Sequence, residues 1–463
     1  MSRKFQCRMV PSSWLELEER RLVAKPYFSG AIEAKLALQK LDCENLVDLT
    51  KSGKKGIFNG PRFSRVFVSD PKHGLKLISG SDLLQCDLSH TDMIAKWQAR
   101  SMKEMILTPG TTLISSYGTI GRCVYTREDM AGHIGSDNVL KVIPDESKIL
   151  PGYLYTFLTS KFGVPMIIKG EGGSVVTYLD PNRVHSIPVP RLGNIEKQAD
   201  DLIQLAANYR VEGIKAFEEA KLAFDERLGV QDDDKPLCGL SFSTIKSSAL
   251  LKRVDAAYHS PSAIRIEGNI RELDFTSVGK LATVMLPPIS SRVMTDDPDY
   301  GYSYFSGEAL YYWTPEPKGY LARKSPKIET LLVDDEGILV QAFGQTYGLI
   351  CRPTWIIPSL VGSAISGLML RLTSPDKRML RYLYAFIASR AGQIVTKRLP
   401  YGGSIPHMNE GQYREVPVPL FEDSLIDRIS EKIQIFINSK TESNALEEQA
   451  RTLVERTIEE GGR

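Results

Sequence analysis

The sequence predicts an α+β protein that contains two tandem β-rich domains, each followed by a long helix. Three observations predict this fold class. A segment of the first half recurs in the second half at an offset of 229 positions, short β-like runs fill most of each half, and each half ends in a long amphipathic segment. A chain of 463 residues has room for two to four domains of roughly 100–200 residues each.

The internal repeat is clearest in Tyr153–Gly163, which recurs as Tyr382–Gly392 with six of eleven positions identical. Further matches keep nearly the same offset: Gly172-Gly173-Ser174 with Gly402-Gly403-Ser404, Ile187–Pro190 with Val416–Pro419, and Ser79-Gly80 with Ser306-Gly307. Two copies are too few for a solenoid, which needs at least three. We therefore interpret the chain as a tandem duplication with pseudo-two-fold character.

Short apolar runs between turn residues predict the β-rich part of each half. Examples are Thr112–Tyr117 and Gly337–Phe343, which are flanked by glycine, proline and asparagine. The repeated Tyr-Leu-Tyr segment is different, because its large residues also recur at helical spacing and Pro151 suits a first helical turn. We therefore expect a helix there.

The segments Ile195–Leu228 and Asp423–Glu460 predict long helices. The first carries a stripe with alternating steps of three and four residues, the heptad seam of a coiled coil: Ala199, Leu202, Ala206, Tyr209, Gly213, Ala216, Ala220 and Ala223. The second is less regular, with a register skip around Lys440. Two separate amphipathic surface helices are one interpretation. Their length and equivalent placement favour an antiparallel coiled coil within the chain.

The charge distribution allows a nucleic-acid binder only if its basic residues lie on one face, since the net charge is +2. Residues 1–230 contain 31 Lys and Arg against 27 Asp and Glu, and the remainder contains 27 against 29. Between Lys51 and Lys76 there are seven basic residues and one acidic residue, Asp70. This segment is the first candidate for contact with a polyanion.

The expected cellular location of the protein follows from three kinds of segment that the sequence lacks. No apolar run reaches the ~18 residues of a membrane span, and Met1–Trp14 has no apolar core of a secretory signal. The six cysteines are far apart, and none forms a Cys-x-x-Cys pair. This spacing argues against a zinc ribbon or a disulfide framework, so we expect a reduced, cytoplasmic protein.

Catalytic motifs are also missing from the sequence. It has no phosphate-binding GxxxxGK[ST], no dinucleotide-binding GxGxxG, no [DN]PP[YFW] of amino-methyltransferases, no HExxH and no nucleophile elbow. Glu146-Ser147-Lys148 has the ExK form found in metal-dependent nucleases, but no matching upstream aspartate, so we interpret it as a solvated loop. The sequence therefore predicts a recognition protein without catalytic residues, bound metal or bound cofactor.

Several local motifs resemble one family of DNA-targeting proteins. Val10–Trp14 is similar to that family's Pro-x-x-Trp entry. Leu77–Leu84 and Pro109–Gly121 resemble the strand-and-turn pattern inside a DNA target recognition domain. In architecture the chain resembles, over nearly its whole length, the specificity subunit of a type I restriction-modification enzyme.

The exit from each β-rich region supports the same resemblance. Ile187–Leu192, followed by Glu196-Lys197-Gln198, resembles the family's proline-rich strand and the glutamine-containing start of its conserved helix. The second copy, Val416–Leu420, lacks that glutamine. The order of these motifs, which occurs twice in the chain, gives the resemblance its specificity.

The resemblance implies that residues 1–190 form the first target recognition domain and that 231–420 form the second, which begins with a linker. Residues 191–230 would form the first conserved helix, a spacer, and 421–463 the second. Each domain would read half of a bipartite DNA target. The antiparallel helices would space the domains and carry two DNA adenine methyltransferase subunits, which bind S-adenosylmethionine. A motor-nuclease subunit is a further partner of the family's complexes.

Candidate residues follow from the need for cations at phosphates and polar side chains at base edges. Candidate phosphate contacts are Lys51, Lys54, Lys55, Arg62, Arg65, Arg292, Arg323, Lys324, Lys397 and Arg398. Candidate base readers lie on glycine-flanked turns: Ser116, Tyr117, Thr119, Arg122, Gln341, Gln345, Tyr347 and Arg352. Candidate seam residues are Leu202, Ala206, Tyr209, Ala216, Ala220, Ile429, Ile433, Phe436, Leu446 and Leu453. The glycine loops near Ser174 and Ser404 are candidates for close approach to the DNA backbone, and Cys123 and Cys351 are expected to be small buried side chains.

Two other functions stay open at the level of the sequence. One is a fused methyltransferase or nuclease with degenerate motifs, which would modify DNA without a partner. The other is a scaffold protein of a phage-defence complex that uses the helices but does not bind DNA.

Overall fold

The computed structural model describes residues 7–17, 20, 24–169, 171–172, 178–232, 234, 242, 244–251 and 253–461. The chain divides into two compact units. Unit 1 comprises Met1–Val211 with Glu442–Arg463, and unit 2 comprises Glu212–Thr441. The predicted glycine loop at Ser174 lies outside the described residues.

The helices of the first half include one that is much longer than the others. They are α1 (Ser12–Leu17), α2 (Ala24–Phe28), α3 (Ala31–Leu38), α4 (Lys96–Arg100), α5 (Pro151–Thr159), α6 (Gly163–Lys169), α7 (Pro181–Val184) and α8 (Asn194–Arg227). The strands of this half are β1 (Cys43–Asn45), β2 (Ile57–Phe58), β3 (Phe67–Val68), β4 (Gly74–Ile78), β5 (Met93–Ala95), β6 (Thr112–Ser115), β7 (Cys123–Tyr125), β8 (Ile134–Gly135), β9 (Val139–Val142), β10 (Glu171–Gly172), β11 (Tyr178–Leu179) and β12 (Pro188–Pro190).

The second half again ends in a long helix. Its helices are α9 (Pro261–Arg271), α10 (Val278–Leu281), α11 (Lys377–Ala388), α12 (Arg390–Thr396), α13 (Glu410–Arg414) and α14 (Asp423–Glu459). Its strands are β13 (Phe275–Ser277), β14 (Thr283–Met285), β15 (Met294–Thr295), β16 (Gly301–Phe305), β17 (Tyr320–Ala322), β18 (Ile338–Gln341), β19 (Pro353–Trp355), β20 (Ala364–Ile365), β21 (Met369–Thr373) and β22 (Pro417–Pro419).

The sheet topology of unit 1 recurs in unit 2. Unit 1 has four-stranded sheets in the orders β2-β9-β6-β7 and β3-β5-β4-β8, and unit 2 has β14-β21-β18-β19 and β15-β17-β16-β20. In both units the fourth strand of the second sheet pairs in parallel, β8 with β4 and β20 with β16. The duplication inferred from the sequence is therefore also a duplication of strand order.

The repeated Tyr-Leu-Tyr segment forms α5 in unit 1 and α11 in unit 2, as its helical spacing predicts. Each helix lies in the core of its unit. The hydroxyl of Tyr153 donates to the carbonyl of Pro190, and that of Tyr382 donates to Pro419 at 2.8 Å. Both acceptors belong to a Pro-Val-Pro strand, so one buried hydrogen bond joins the two repeated motifs in each half.

The long helices are present where the heptad pattern predicts them, and the α+β fold class is confirmed. In unit 1, Ala199 and Ile203 of α8 share a hydrophobic cluster with Ala450, Val454 and Ile458 of α14. In unit 2, residues later in α8 contact residues earlier in α14. The pairs are Phe217 with Phe436, Glu219 with Lys432 and Arg227 with Glu422. The two helices are therefore antiparallel.

The register skip expected at Lys440 does not interrupt α14, which is continuous from Asp423 to Glu459. Lys440 is buried instead of lying on an exposed surface. Among the described residues, we find no helix with the length and apolar character needed to cross a membrane.

Candidate nucleic-acid interface

A tight turn presents the first basic cluster of unit 1. Ser52 and Gly53 both adopt left-handed backbone conformations, with φ of 59° and 61°. The hydroxyl of Thr50 donates to the carbonyl of Gly53 at 2.9 Å, which closes the turn ahead of β2. Lys51, Lys54 and Lys55 are all exposed on this turn, so three predicted phosphate contacts lie within five residues.

The extended segment that follows carries the other two predicted phosphate contacts of unit 1. Arg62 and Arg65 are exposed, and Arg65 forms an ion pair of 2.6 Å with Asp137. The guanidinium of Arg65 also lies 5.9 Å from the centre of the Phe63 ring. Asp137 therefore neutralises part of the charge of Arg65, whereas the lysine turn contains no acidic residue.

The turn between β6 and β7 carries the predicted base readers of unit 1. Gly118 and Gly121 have φ values of 75° and 88°, so the tip of the turn uses conformations that favour glycine. Thr119 is exposed, and Tyr117 and Arg122 are half-buried. Ser116 is buried, and its hydroxyl is hydrogen-bonded to the side chain of Asn59 at 3.0 Å. The tip of this turn is therefore more accessible than its base.

An aromatic pair supports this turn. The rings of Tyr117 and Tyr178 stack with their centres 6.3 Å apart, and their backbones form an isolated antiparallel bridge. In unit 2 the equivalent bridge joins Phe343 and His407, whose rings stack at 5.6 Å. Both turns are thus held against a later segment of the chain by the same kind of contact.

The predicted base readers of unit 2 differ in exposure. Tyr347 and Gln345 are exposed, and the amide of Gln345 donates to the carbonyl of Ser404 at 2.7 Å. Gln341 is buried and donates to the carbonyl of Phe343 at 2.7 Å. Arg352 is half-buried, with its guanidinium 5.0 Å from the centre of the Tyr311 ring. The link between Gln345 and Ser404 places the second predicted glycine loop beside the reading turn.

The predicted phosphate contacts of unit 2 fall into an exposed and a buried group. Arg292, Arg323 and Lys324 are exposed, with Arg292 donating to the hydroxyl of Tyr304 at 2.9 Å. Lys397 and Arg398 are buried. Arg398 forms an ion pair with Glu267, which neutralises its charge within the fold. Burial also lowers the pKa of Lys397.

Contact with DNA stays a prediction for all ten cations and all eight turn residues.

The two cysteines that follow the reading turns, Cys123 and Cys351, are buried as expected. Burial raises the pKa of each thiol to about 12, so neither is a reactive thiolate at neutral pH.

One buried cation occurs at the same strand position in each unit. Lys141 of β9 donates to the carbonyls of Ser136 and Val139 at 2.9 and 3.0 Å. Arg371 of β21 donates to the carbonyls of Leu331 and Leu332 at 2.7 and 2.6 Å. Desolvation lowers the pKa of Lys141 to about 8 and that of Arg371 to about 10. These two residues are not among the candidates predicted from the sequence. The signal that could have identified them is a basic residue inside an apolar strand in both copies of the repeat.

The predicted seam residues mostly lie between the long helices. Ala206, Ala216, Ala220, Ile429, Ile433 and Phe436 are buried, and Leu202, Tyr209, Leu446 and Leu453 are half-buried. The structure adds Arg210, which the apolar pattern did not include. Its guanidinium is buried and bonds to Glu447 at 2.7 Å, Asn444 at 3.1 Å and Ser443 at 3.3 Å. A polar network therefore interrupts the apolar seam in unit 1.

Within the part of the chain that the structure describes, no cluster of three or more His, Cys, Asp or Glu side chains is arranged to hold a metal ion. The site consists of exposed cations, polar turns and aromatic pairs. Exposed cations and polar side chains are the groups that proteins use at phosphates and base edges.

Comparison with known proteins adds similarities of fold. No protein-family model and no curated protein matches the sequence. The chain is similar to the S subunit of the type I restriction-modification system from M. genitalium, with a TM-score of 0.37 and 11% identity over 89% of this chain and 94% of that one. It is also similar to the HsdS subunit from Thermoanaerobacter tengcongensis, with a TM-score of 0.26 and 10% identity over 90% and 96%. A structure described for complex assembly and conformational transition of the type I R-M system matches with a TM-score of 0.26 and 12% identity over 91% and 97%.

Proposed function

We propose that this chain is a DNA-binding specificity subunit that reads a bipartite target and directs DNA adenine methyltransferase subunits to it. The observation that carries the proposal is the duplication of one unit with one strand order and two different sets of exposed side chains. Such a chain offers two similar readers for two different half-sites. By this proposal it is a non-catalytic subunit, and S-adenosylmethionine binds to its partner.

The exposed charges support DNA as the ligand. Five predicted phosphate contacts are exposed between Lys51 and Arg65, and three more between Arg292 and Lys324. Cations position a protein on the phosphate backbone, whereas side chains on turns reach base edges. Both kinds of group are exposed in each unit.

The long helices support a role in spacing and assembly. Helix α8 has 34 residues and would be about 51 Å long at ~1.5 Å per residue. It exposes Leu205 in unit 1 and Leu222 in unit 2, which gives each unit an apolar contact point on the same helix. By this proposal, the helix pair separates the readers and binds two copies of the methyltransferase partner.

We expect the isolated chain to bind DNA weakly and to bind tightly only together with its methyltransferase partner. The reason is the net charge of +2, which leaves few uncompensated cations to release counterions from DNA. Fluorescence anisotropy with duplexes that contain the methylated target, with and without the co-purified partner, measures the difference. Nanomolar, sequence-specific binding by the isolated chain at physiological salt would contradict this expectation.

We also expect the length of the helix pair to set the gap between half-sites. Four extra residues after Val211 in α8, matched by four after Thr441 in α14, lengthen each helix by ~6 Å. That length corresponds to nearly two base pairs at ~3.4 Å each. Four residues turn a helix by ~400°, so the apolar seam continues on nearly the same face of each helix. Mapping of methylated adenines should show both half-site sequences unchanged and a gap longer by one or two base pairs.

A matched control separates spacing from folding. Two extra residues at each of the same points turn the helices by ~200°, which moves the seam to the opposite face. This variant should unfold at lower temperature and methylate poorly. If the four-residue variant methylates fully with an unchanged gap, the helices do not set the spacing.

A further inference from the structure

An exposed apolar strip lies inside the basic region of unit 1. Val66 is 42% exposed, Phe67 is 55% exposed and Trp97 is 67% exposed. Arg62 and Arg65, both exposed, lie just before this strip along the chain. Two large aromatic side chains in water are unfavourable, at ~25 cal/mol per Å² of apolar surface, unless a ligand covers them.

Backbone contacts hold the parts of the strip side by side. The amide nitrogen of Ala95 donates to the carbonyl of Val66 at 3.0 Å. The side chain of Gln98 accepts from the nitrogen of Val66 at 3.1 Å and donates to the carbonyl of Ser64. The start of α4, which carries Trp97, is therefore fixed next to the strand that carries Phe67.

The same backbone arrangement recurs in unit 2, 227 positions later. The nitrogen of Ala322 donates to the carbonyl of Val293 at 2.8 Å, and the nitrogen of Val293 donates to the hydroxyl of Ser325 at 3.4 Å. The turns that follow also match, because Asp70 accepts from the nitrogen of Lys72 at 2.8 Å and Asp297 from that of Asp299 at 2.9 Å.

The exposed side chains on this shared framework differ between the units. Phe67 of unit 1 is replaced by Met294, Trp97 by Lys324, and Lys72 by Asp299. Asp296 of unit 2 also replaces Ser69, whereas Asp297 matches Asp70. Aromatic side chains at the Phe67 and Trp97 positions are therefore specific to unit 1.

This divergence identifies the kind of ligand. Two copies of one partner protein would meet the same surface on each unit, so that surface would keep its side chains. Two different DNA half-sites would meet different surfaces. The segment around Phe67 carries Arg62, Arg65 and Lys72 and is complementary to a polyanion, whereas three aspartates accompany Arg292 and Lys324 around Met294. These observations favour DNA as the occupant of the strip in unit 1.

We propose that unit 1 inserts Phe67 into the base stack of the half-site that it reads, with Trp97 packed beside it against the DNA groove. Apolar side chains of DNA-binding proteins enter between base steps, unstack them and kink the duplex while nearby cations hold the phosphates. Unit 2 has Met294 and Lys324 at these two positions and inserts no aromatic side chain into its half-site. The inference depends on the proposed DNA-binding function and adds a one-sided distortion of the target.

The test uses the complex of the full chain with its methyltransferase partner and duplexes that contain the methylated target. 2-Aminopurine replaces one base at a time across both half-sites, because its fluorescence rises when a base loses its stacking partner. The methyltransferase flips its target adenine in each half-site, so the target adenines and their immediate neighbours are not substituted. At the remaining positions we expect a rise at one base step in the unit 1 half-site and none in the unit 2 half-site. Phe67→Ala should abolish the rise and weaken binding about tenfold, as expected for loss of one stacked base contact.

Met294→Ala is the matched control, since it changes the equivalent exposed position of unit 2. It should keep the rise and the affinity of the unchanged protein. Phe67→Trp should restore the rise, because it preserves a flat apolar side chain. Equal melting temperatures of the variants would show that Phe67→Ala still folds, as its exposure predicts.

Three results would overturn the inference. They are no rise at any position away from the target adenines in bound DNA, a rise at such a position that persists in Phe67→Ala, and loss of the methyltransferase from the Phe67→Ala complex on gel filtration. The last result would assign the strip to a protein partner. If the complex binds no DNA at all, the proposed function fails as well, and anisotropy on the same duplexes reports this separately.

Discussion

Replacing Glu447 with alanine is expected to lower the free energy of unfolding by about 3–5 kcal/mol, the range for breaking a buried ion pair. The side chains of Arg210 and Glu447 are only 6% and 12% exposed, and their charged groups are 2.7 Å apart. Removing the carboxylate takes away the ion-pair partner of the buried guanidinium, and the hydrogen bonds to neutral Asn444 and Ser443 do not replace its charge. Loss of this negative charge destabilises the packing of α8 against α14 in unit 1.

A pair of controls distinguishes the buried charge from helix packing in general. Arg210→Met with Glu447→Met removes both charges and keeps apolar volume, so most of the lost stability should return. Glu219→Ala breaks the half-exposed ion pair with Lys432 on the same two helices and should cost less than about 1 kcal/mol. Urea unfolding followed by circular dichroism gives all three values. Equal losses for Glu447→Ala and Glu219→Ala would contradict the account.

The repeat and the heptad spacing predicted most of the fold because both depend on local order in the sequence. Tyr153 and Tyr382 mark equivalent core helices, and Ala206, Ala216 and Ala220 mark the buried face of α8. Arg210 was missed because a search for apolar spacing passes over a cation, and its partner Glu447 lies 237 positions later in the sequence.

The candidate site was harder to predict because the exposure of a side chain depends on contacts with residues that are far away in the sequence. Arg398 resembles a free cation in the sequence, but Glu267, 131 positions earlier, is its ion-pair partner. Ser116 belongs to a polar turn, but Asn59 binds its hydroxyl inside the fold. The equivalence of Val66 with Val293 escaped the repeat analysis because the shared feature is backbone hydrogen bonding, whereas the exposed side chains have diverged.

The largest expected effect on function comes from exchanging one reader. Residues 1–190 of this chain would be replaced by the equivalent region of a related chain with a different target. The junction follows β12, which pairs with β1 inside the exchanged region, and precedes α8. The donor must keep the side chains that pack against Ala450, Val454 and Ile458 of α14, since these complete the core of unit 1.

The reciprocal exchange of residues 231–420 is the matched control for this experiment. It replaces the second reader and leaves both long helices in place. We expect it to change the half-site that the first exchange leaves intact. Thermal unfolding of each hybrid with its partner would show that lost methylation is not lost folding.

Genome-wide mapping of methylated adenines in cells that carry each hybrid tests the central claim most directly. If each unit reads one half of a bipartite target, the first hybrid changes one half-site and keeps the other half-site and the gap, and the reciprocal hybrid does the reverse. A simultaneous change of both half-sites by one exchange, or an unchanged methylation pattern with either folded hybrid, would contradict the account.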